Sequence, residues 1–309
     1  MKNNRILPNG FYDLVDQEAK KHYEYTKLAI DNFINNDNKL IKTSMIEYSN
    51  NYCEKDLAKI FKFADPITRE QIFFRHDITM QIANYIESRR DFDSTKIHKY
   101  CYYGDSIDLN CDTPFSQRQQ TQVGCEIIND SSIDSCYKII SDNLQILKNI
   151  DQIKIFVSLP DFMKVFLTAI DQQDNDNLRN AIINKNISEI KKIDKINHQL
   201  INEIILNNFN HSHLFSQIID SINNLQLQKM LNMAIEIKNL IERNYSNIEI
   251  FFDLFGDHNI SYHHKIAFNI YANNFQHPLV KGGCYLISQG NSKIDAVGAT
   301  IYVNNLRKI

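Results

Sequence analysis

The stretch from Arg118 to Ile128 carries polar side chains at every second position. Residues two apart in an extended strand share a face, so this strand would present one polar face and one apolar face. The polar face holds Arg118, Gln120, Gln122, Gly124 and Glu126, and the other face holds Thr121, Val123, Cys125 and Ile127. A glycine in such a row leaves room for another group to approach the sheet. The polar face is therefore either the floor of a ligand cleft or a solvent-facing surface of an antiparallel sheet.

The segment FFRHDIT, which ends at Thr79, is typical of a strand that ends where a helix begins. Asp77 or Thr79 could cap that helix, a role that contributes about 1 kcal/mol. Alternatively, the Asp77 carboxylate beside a helix N-terminus could hold the ammonium group of a ligand. Tyr262, His263 and His264 precede an apolar strand, where aromatic packing is the simpler interpretation and ligand contact is the alternative.

The other residues that could do chemistry are scattered. The six cysteines form no CxxC pair, so we expect reduced thiols. The histidine pairs His211 with His213 and His263 with His264 lack a second cluster at ligand spacing, so we expect no metal site. The sequence contains no GxGxxG, P-loop, HExxH or GxSxG motif. Taken alone, the residues indicate one polar cleft without a catalytic signature, and we expect no cofactor.

Composition excludes several classes of protein. The 309 residues include 34 Lys+Arg and 37 Asp+Glu, for a net charge of −3, which is unlike a strongly basic nucleic-acid binder. A hydrophobic fraction of 43% fits a packed rather than a disordered chain. No stretch approaches the roughly 18 apolar residues of a membrane helix, and the start, MKNNRILPNG, has no apolar signal-peptide core. We therefore expect a cytoplasmic protein that binds neither nucleic acid nor membrane.

Prolines and glycines divide the chain into three predicted parts: 1–160, 161–246 and 247–309. The middle part contains neither glycine nor proline, and its apolar residues recur at helical spacing, which predicts a helical insertion. The periodicity predicts helices over 11–36, 79–90 and 135–149. It predicts strands over 39–48, 60–64, 71–75, 97–104, 118–128, 153–158, 248–255, 265–272, 284–287 and 296–303. Together these favour an α+β fold with one mainly antiparallel sheet that both ends of the chain complete.

These pieces resemble, in this order, the catalytic domain of histidyl-tRNA synthetase, and more closely its non-catalytic relative, the regulatory subunit of ATP phosphoribosyltransferase. The matching stretches are LPNGFYDL at 7–14, TSMIEY at 43–48, FKFADPITREQIFFRHDIT at 61–79, QRQQTQVGCEII at 117–128, and the closing YHH, GGCY and AVGATI. The resemblance implies a class II aminoacyl-tRNA synthetase-like antiparallel sheet flanked by helices. It also implies a histidine site, whose residues would be Asp77, Thr79, Gln122, Glu126 and Tyr262.

The sequence departs from the synthetases at the positions of their phosphate-binding arginines. Asp108, His258 and Cys284 stand at three of these positions, and AVGATIYVNN lacks a fourth arginine. Arginines in a synthetase neutralise the phosphates of ATP and the charge that develops during amino-acid activation. We therefore expect no amino-acid activation and no enzyme activity. With the last residue at Ile309, we also expect no anticodon-binding domain.

The resemblance thus implies a homodimer that assembles with the short-form ATP phosphoribosyltransferase catalytic subunit. Its expected function is to activate that subunit and to mediate feedback inhibition by L-histidine in the first step of histidine biosynthesis. The alternative is a degenerate synthetase-like paralogue that acts as a binding protein outside this pathway. An active ligase or transferase is a third possibility, but it would need phosphate-binding arginines from elsewhere in the chain.

Overall fold

The computed structural model describes residues 7–48, 60–89, 92–93, 95–109, 117–172, 174–194, 196–206, 212–255, 263–273, 275–289 and 292–309. The helices in these ranges are α1 (Asp16–Asn35), α2 (Ile78–Ser88), α3 (Ile133–Ile146), α4 (Phe162–Ala169), α5 (Asp176–Ile183), α6 (Ile187–Ile190), α7 (His198–Leu206), α8 (Ser212–Ser221), α9 (Leu225–Asn244) and α10 (Val303–Leu306). The strands are β1 (Lys39–Ile41), β2 (Ile46–Tyr48), β3 (Lys62–Ala64), β4 (Gln71–Phe74), β5 (His98–Ile107), β6 (Gln119–Ile128), β7 (Ile153–Ser158), β8 (Glu249–Asp253), β9 (His263–Ala272), β10 (Val280–Gln289) and β11 (Ser292–Tyr302).

An eight-stranded sheet forms the centre of the molecule, in the order β1-β5-β6-β11-β10-β9-β7-β8. The β1–β5 and β7–β8 pairs are parallel, and the other neighbouring strands are antiparallel. The central β6–β11 pair joins an early strand to the last strand, so both ends of the chain complete one sheet. The predicted α+β fold with a mainly antiparallel sheet is confirmed.

The predicted strand over 39–48 is wrong as a single element. It forms two strands: β1 pairs with β5 in the large sheet, and β2 pairs with β4 in a three-stranded sheet. The chain turns between them, where the Ser44 hydroxyl accepts the backbone N–H of Ile46. The Arg75 guanidinium also donates to the backbone carbonyls of Thr43 and Ser44. This side chain comes from a distant segment, so strand periodicity alone could not predict the turn.

Several other predicted bounds differ from the structure, and two of these differences have visible local reasons. Helix α1 begins at Asp16 rather than at residue 11, because the N–H of Phe11 bonds to the carbonyl of Pro8 in a turn in which Gly10 has φ 83°. Strand β10 begins at Val280, before the predicted strand over 284–287, and includes the glycine pair Gly282 and Gly283. A Cβ on Gly282 would lie 2.6 Å from the Gly298 carbonyl oxygen, so this glycine permits close strand packing rather than ending the strand.

Helices cover one side of the sheet and share its core. Buried side chains of α1, α3, α4 and α9 form one cluster with Val123, Ile155 and other residues of the sheet. Helices α5, α6 and α9 begin with asparagine caps, whose side chains accept backbone N–H groups of the first turn. These caps show how a stretch without glycine or proline is still divided into separate helices. None of the helices in the described ranges is long and apolar enough to cross a membrane.

Helix α2 covers part of the opposite side of the sheet. Its apolar residues Ile78 and Ile82 pack on Tyr102 of β5, and Ile86 packs with Tyr285 of β10. The N-terminus of α2 lies beside the polar face of β6, where the backbone N–H of Ile78 donates to Gln122 Oε1.

Candidate functional site

Four of the five predicted site residues come from two elements that meet in the structure. Asp77 and Thr79 lie at the N-terminus of α2, and Gln122 and Glu126 lie on β6. The Thr79 hydroxyl donates to Glu126 Oε1 at 2.9 Å, and Gln122 Oε1 accepts the backbone N–H of Ile78 at 3.4 Å. The fifth residue, Tyr262, lies outside the described residues.

Glu126 lies at the centre of this group and is fully buried, with 0% of its surface exposed. Its other oxygen, Oε2, accepts a hydrogen bond from the Tyr285 hydroxyl on β10 at 2.9 Å. Tyr102 extends the network, because its hydroxyl lies 3.0 Å from Thr79 Oγ1 and 2.7 Å from Thr300 Oγ1. A carboxyl group and four hydroxyl groups thus form one connected polar network between α2 and the sheet.

Sequence analysis missed the three network members Tyr102, Tyr285 and Thr300. Tyr285 stands in the GGCY motif, so its place beside a family-like motif was the available signal. Tyr102 lies opposite Gly124 in the β5–β6 register, and a Cβ on Gly124 would lie 2.3 Å from its hydroxyl oxygen. The glycine that was predicted to admit a ligand therefore accommodates a tyrosine of the same chain.

Burial dominates the electrostatics of the site. Desolvation raises the pKa of Glu126 to about 8, although the hydrogen bonds from Tyr285 and Thr79 oppose this change. Desolvation also raises the pKa of Tyr102, and the charges of Glu126 and Asp77 add to that effect. At neutral pH the site therefore contains a largely protonated carboxyl group among neutral hydroxyl groups. These carboxyl and hydroxyl groups can form hydrogen bonds with a polar ring, but none of them carries the positive charge that would bind a phosphate group.

Asp77 has the helix-capping role that was one of its two interpretations. Its Oδ1 accepts the backbone N–H of Met80 at 3.3 Å, and its backbone is extended, as expected at an N-cap. Its carboxylate is also close enough to contribute to the raised pKa of Glu126. The cap leaves the second carboxylate oxygen available for another donor, since a carboxylate accepts several hydrogen bonds.

Two of the positions at which the resemblance to the synthetases implies arginines lie within the described residues. Asp108 follows β5, where its backbone N–H bonds to the Arg118 carbonyl. Cys284 packs against Cys136 of α3, with 3.3 Å between the two sulfur atoms. Asn305, in the last of the synthetase-like motifs, donates to the Pro278 carbonyl at 2.8 Å. His258 lies outside the part of the chain that the structure describes.

Tyr302 of β11 is paired with Gln122 of β6, so the two side chains lie next to each other on the same face of the sheet. The Lys281 ammonium lies 5.6 Å from the centroid of the Tyr302 ring. Burial raises the pKa of Tyr302, and the charges of Asp77 and Asp108 add to the increase. An aromatic ring thus lies beside Gln122, within the electrostatic influence of Asp77 and Asp108.

A second polar group lies on the other side of β6, where Thr121 was predicted to join an apolar core. The Thr121 hydroxyl donates to Asp105 Oδ1 at 2.6 Å and lies 2.9 Å from His22 Nε2 of α1. Its backbone N–H donates to Asn304 Oδ1 at 2.7 Å. Burial lowers the pKa of His22. These contacts hold α1 against β6 and line a cavity of about 580 Å³.

The chain matches known proteins in sequence and in fold. The sequence model of the histidyl-tRNA synthetase family matches residues 10–306. The ATP phosphoribosyltransferase regulatory subunit of Psychrobacter arcticus is 26% identical over 295 residues, which cover 90% of this chain and 74% of that protein.

Two solved structures share the fold. One, an ATP phosphoribosyltransferase regulatory subunit/histidyl-tRNA synthetase from Bacillus halodurans, superposes with a TM-score of 0.82 at 18% identity and covers 98% of this chain and 82% of its own. A chain of the ATP phosphoribosyl transferase complex from Thermotoga maritima superposes with a TM-score of 0.68 at 15% identity. That match covers 94% of this chain and 98% of the other.

Proposed function

Since this chain belongs to the histidyl-tRNA synthetase family, we propose that it is the regulatory subunit of a short-form ATP phosphoribosyltransferase. In this role it activates the catalytic subunit, which joins ATP to phosphoribosyl pyrophosphate, and it mediates feedback inhibition by histidine. We place this assembly in the cytoplasm. The observation that carries the proposal is that Thr79, Gln122 and Glu126, the residues expected from the resemblance to bind histidine, lie together at one buried site. The arginines expected at a synthetase active site are replaced by other residues.

The replaced arginines support a non-catalytic subunit. Activation of an amino acid develops negative charge at the α-phosphate of ATP, and pre-positioned cations stabilise that charge. Asp108 and Cys284 cannot supply a cation, and the motif AVGATIYVNN contains no arginine. Asp108 would also repel the phosphates, because a like charge raises the free energy of binding.

Histidine is the ligand that the remaining groups favour. Its ammonium group would bind the free oxygen of Asp77, and its imidazole would bind the Glu126 carboxyl group. Tyr262 would form a wall for the ring. Glu126 is fully buried between these hydroxyl groups, so histidine must displace the Thr79 or the Tyr285 side chain to reach it. Entry of histidine therefore requires a local rearrangement of α2 or β10.

That rearrangement gives histidine a means of regulation. A ligand shifts an equilibrium between two states only if it binds one state more tightly than the other. The network in the structure is closed, with Glu126 fully buried, and we assign this arrangement to the histidine-free state. Histidine would favour the rearranged state, and the catalytic subunit would respond to which state is populated.

The homodimer of this proposal forms on the side of α1. Tyr12, Leu14, Tyr23 and Met45 line the cavity of about 580 Å³ there, and each is at least partly exposed. Tyr23 is 65% exposed and Tyr12 is 51% exposed, which is unusual for large aromatic side chains that lie together. A second copy of the chain would bury this apolar patch.

The test is reconstitution with the catalytic subunit. The purified chain is added to short-form ATP phosphoribosyltransferase from the same organism, and the formation of phosphoribosyl-ATP is measured with and without histidine. We expect a higher rate and the appearance of histidine inhibition. The matched variant Glu126→Gln should retain activation but lose sensitivity to histidine. If the chain binds histidine without co-purifying with the catalytic subunit or raising its rate, the alternative of a binding protein outside this pathway replaces the proposal.

A further inference from the structure

Two buried cysteines, Cys136 and Cys284, lie in contact although 148 residues separate them in sequence. Cys136 is in the first turn of α3 and Cys284 is on β10, and their sulfur atoms are 3.3 Å apart. The exposed fraction is 1% for Cys136 and 0% for Cys284. A disulfide bond has a sulfur–sulfur distance of about 2.05 Å, so the sulfur atoms need to approach by only about 1.3 Å.

The surroundings of the pair make the two thiols unequal. The S–H group of Cys136, the backbone N–H of Ile266 and the charge of Lys265 all lower the pKa of Cys284. The pKa of Cys136 is raised by its hydrogen bond to Cys284 and by burial. Either sulfur can donate in the hydrogen bond that joins them, and the additional backbone N–H of Ile266 favours the thiolate on Cys284. A pair in which one thiol is activated and the other is in contact is the arrangement of redox-active cysteines.

The pair also lies close to the protein surface. Lys265 Nζ donates to Ser131 Oγ at 2.6 Å and to Asp295 Oδ1 at 3.0 Å. The side chains of Lys265 and Asp295 are 40% and 46% exposed, and both act electrostatically on Cys284. Partly exposed polar side chains therefore lie near the buried sulfur atoms, and a peroxide would reach the pair only by displacing such side chains.

We propose that Cys136 and Cys284 form a reversible disulfide bond when the protein is exposed to a peroxide. In the first step the Cys284 thiolate attacks one oxygen of hydrogen peroxide. The sulfur–oxygen bond forms, the oxygen–oxygen bond breaks, and hydroxide leaves and takes a proton to become water. Cys284 is then a sulfenic acid.

In the second step the Cys136 sulfur loses its proton and attacks the Cys284 sulfur. The sulfur–sulfur bond forms, the sulfur–oxygen bond breaks, and the departing hydroxide takes up that proton as water. Two thiols are oxidised by two electrons, and one peroxide is reduced to two waters. Reduction by a dithiol reverses the change through thiol–disulfide exchange. The bond ties α3 to the strand that carries Tyr285.

The chain contains a matched control pair. Cys101 and Cys125 are equally buried and lie directly opposite each other on β5 and β6. Burial raises the pKa of both thiols. Since neither has an activating cation such as Lys265 among the causes that act on its pKa, we expect this pair to remain reduced.

The experiment uses the full chain with Cys53→Ser and Cys111→Ser, so that only the two pairs remain. The folded protein is treated with stoichiometric hydrogen peroxide, unfolded in an alkylating reagent, digested and mapped by mass spectrometry. We expect one cross-linked peptide pair that joins Cys136 to Cys284, that disappears with dithiothreitol, and full alkylation of Cys101 and Cys125.

The variant Cys136→Ser tests the order of the steps. In it, Cys284 should stop at the sulfenic acid, which dimedone traps. Two results would overturn the proposal. One is that Cys136 and Cys284 are recovered as free thiols although oxidation of exposed methionines shows that the peroxide was active. The other is that Cys101 and Cys125 form a cross-link at the same rate. Because peptide mapping of the protein with both cysteines present decides the main point, the proposal remains testable if Cys136→Ser does not fold.

Discussion

The side-chain carboxyl group of Glu126 packs directly against the Cα atom of Gly298. The two residues are paired across β6 and β11, and a Cβ built on Gly298 would lie 1.5 Å from Glu126 Oε2. No side chain other than hydrogen fits between this backbone and the carboxyl group. The position of Glu126 under α2 therefore depends on a glycine of the neighbouring strand.

The first prediction follows from this contact. Gly298→Ala should destabilise the protein by about 1–3 kcal/mol, as overpacking of a buried site does, because the new methyl group displaces Glu126. Removing the carboxyl group with Glu126→Ala removes the clash, so the effect of Gly298→Ala should be much smaller in that background. Urea denaturation of the four proteins of this double-mutant cycle measures the coupling. Equal losses in both backgrounds would show that the contact does not exist.

The second prediction concerns the pH dependence of stability. Burial raises the pKa of Glu126 to about 8 in the folded protein, from 4.5 in its absence. Below pH 4.5 both states are protonated, and the group has no effect on the pH dependence of stability. Between pH 4.5 and 8 the unfolded state loses its proton while the folded state keeps it, so stability should fall as pH rises, by at most about 1.4 kcal/mol per pH unit.

The matched variant for this measurement is Glu126→Gln, which cannot titrate. The difference in the free energy of unfolding between the two proteins, measured at pH 5 and at pH 8, isolates Glu126 from other titrating groups such as Asp142, whose pKa burial also raises. We expect the variant to gain stability relative to the parent as pH rises. A difference that stays constant with pH would mean that Glu126 is ionised in the folded protein.

Strand alternation was enough to place Gln122 and Glu126 on one face, since the period of a strand fixes which residues share a side. A helix-capping residue after a strand was equally visible at Asp77. The tyrosine partners of Glu126 could not be predicted in this way. Tyr102 lies on β5, next to β6, and Tyr285 lies on β10, next to β11. Their contacts with the Glu126 network depend on the register between these strands, which one sequence does not specify.

The polar contacts of Thr121 show the same limit on the other side of β6. Its position in the alternation correctly indicates a buried residue. Its partners Asp105, His22 and Asn304 belong to three other elements, and only the assembled fold brings them together. A buried polar side chain needs hydrogen-bond partners. The sequence therefore indicates that Thr121 has partners, but it does not identify them.

The third prediction is that the chain is a dimer. Light scattering at micromolar concentration should give twice the chain mass of 36.2 kDa. Tyr23→Asp places a charge in the exposed apolar patch beside α1 and should shift the mass toward that of a monomer. Leu225→Asp is the matched control, because Leu225 is 66% exposed at the start of α9 and does not line this cavity. A monomeric parent protein, or equal effects of the two variants, would contradict the proposed interface.

The fourth prediction is that the chain does not activate amino acids. Exchange of labelled pyrophosphate into ATP should stay at background in the presence of histidine, because the resemblance to the synthetases places Asp108, His258 and Cys284 at arginine positions. A histidyl-tRNA synthetase measured under the same conditions is the positive control. A histidine-dependent signal that Glu126→Gln abolishes would contradict the proposed function.

The fifth prediction separates the two roles of Asp77. Asparagine caps a helix about as well as aspartate, so Asp77→Asn should leave stability nearly unchanged. If the carboxylate also binds the ammonium group of histidine, the same change should weaken binding by roughly tenfold to hundredfold, or about 1–3 kcal/mol. Glu126→Gln should weaken binding to a similar extent through the imidazole. Calorimetric titration of histidine into the three proteins, with the catalytic subunit present, measures both effects. If the parent protein binds histidine and both variants bind equally well, histidine binds elsewhere on the chain.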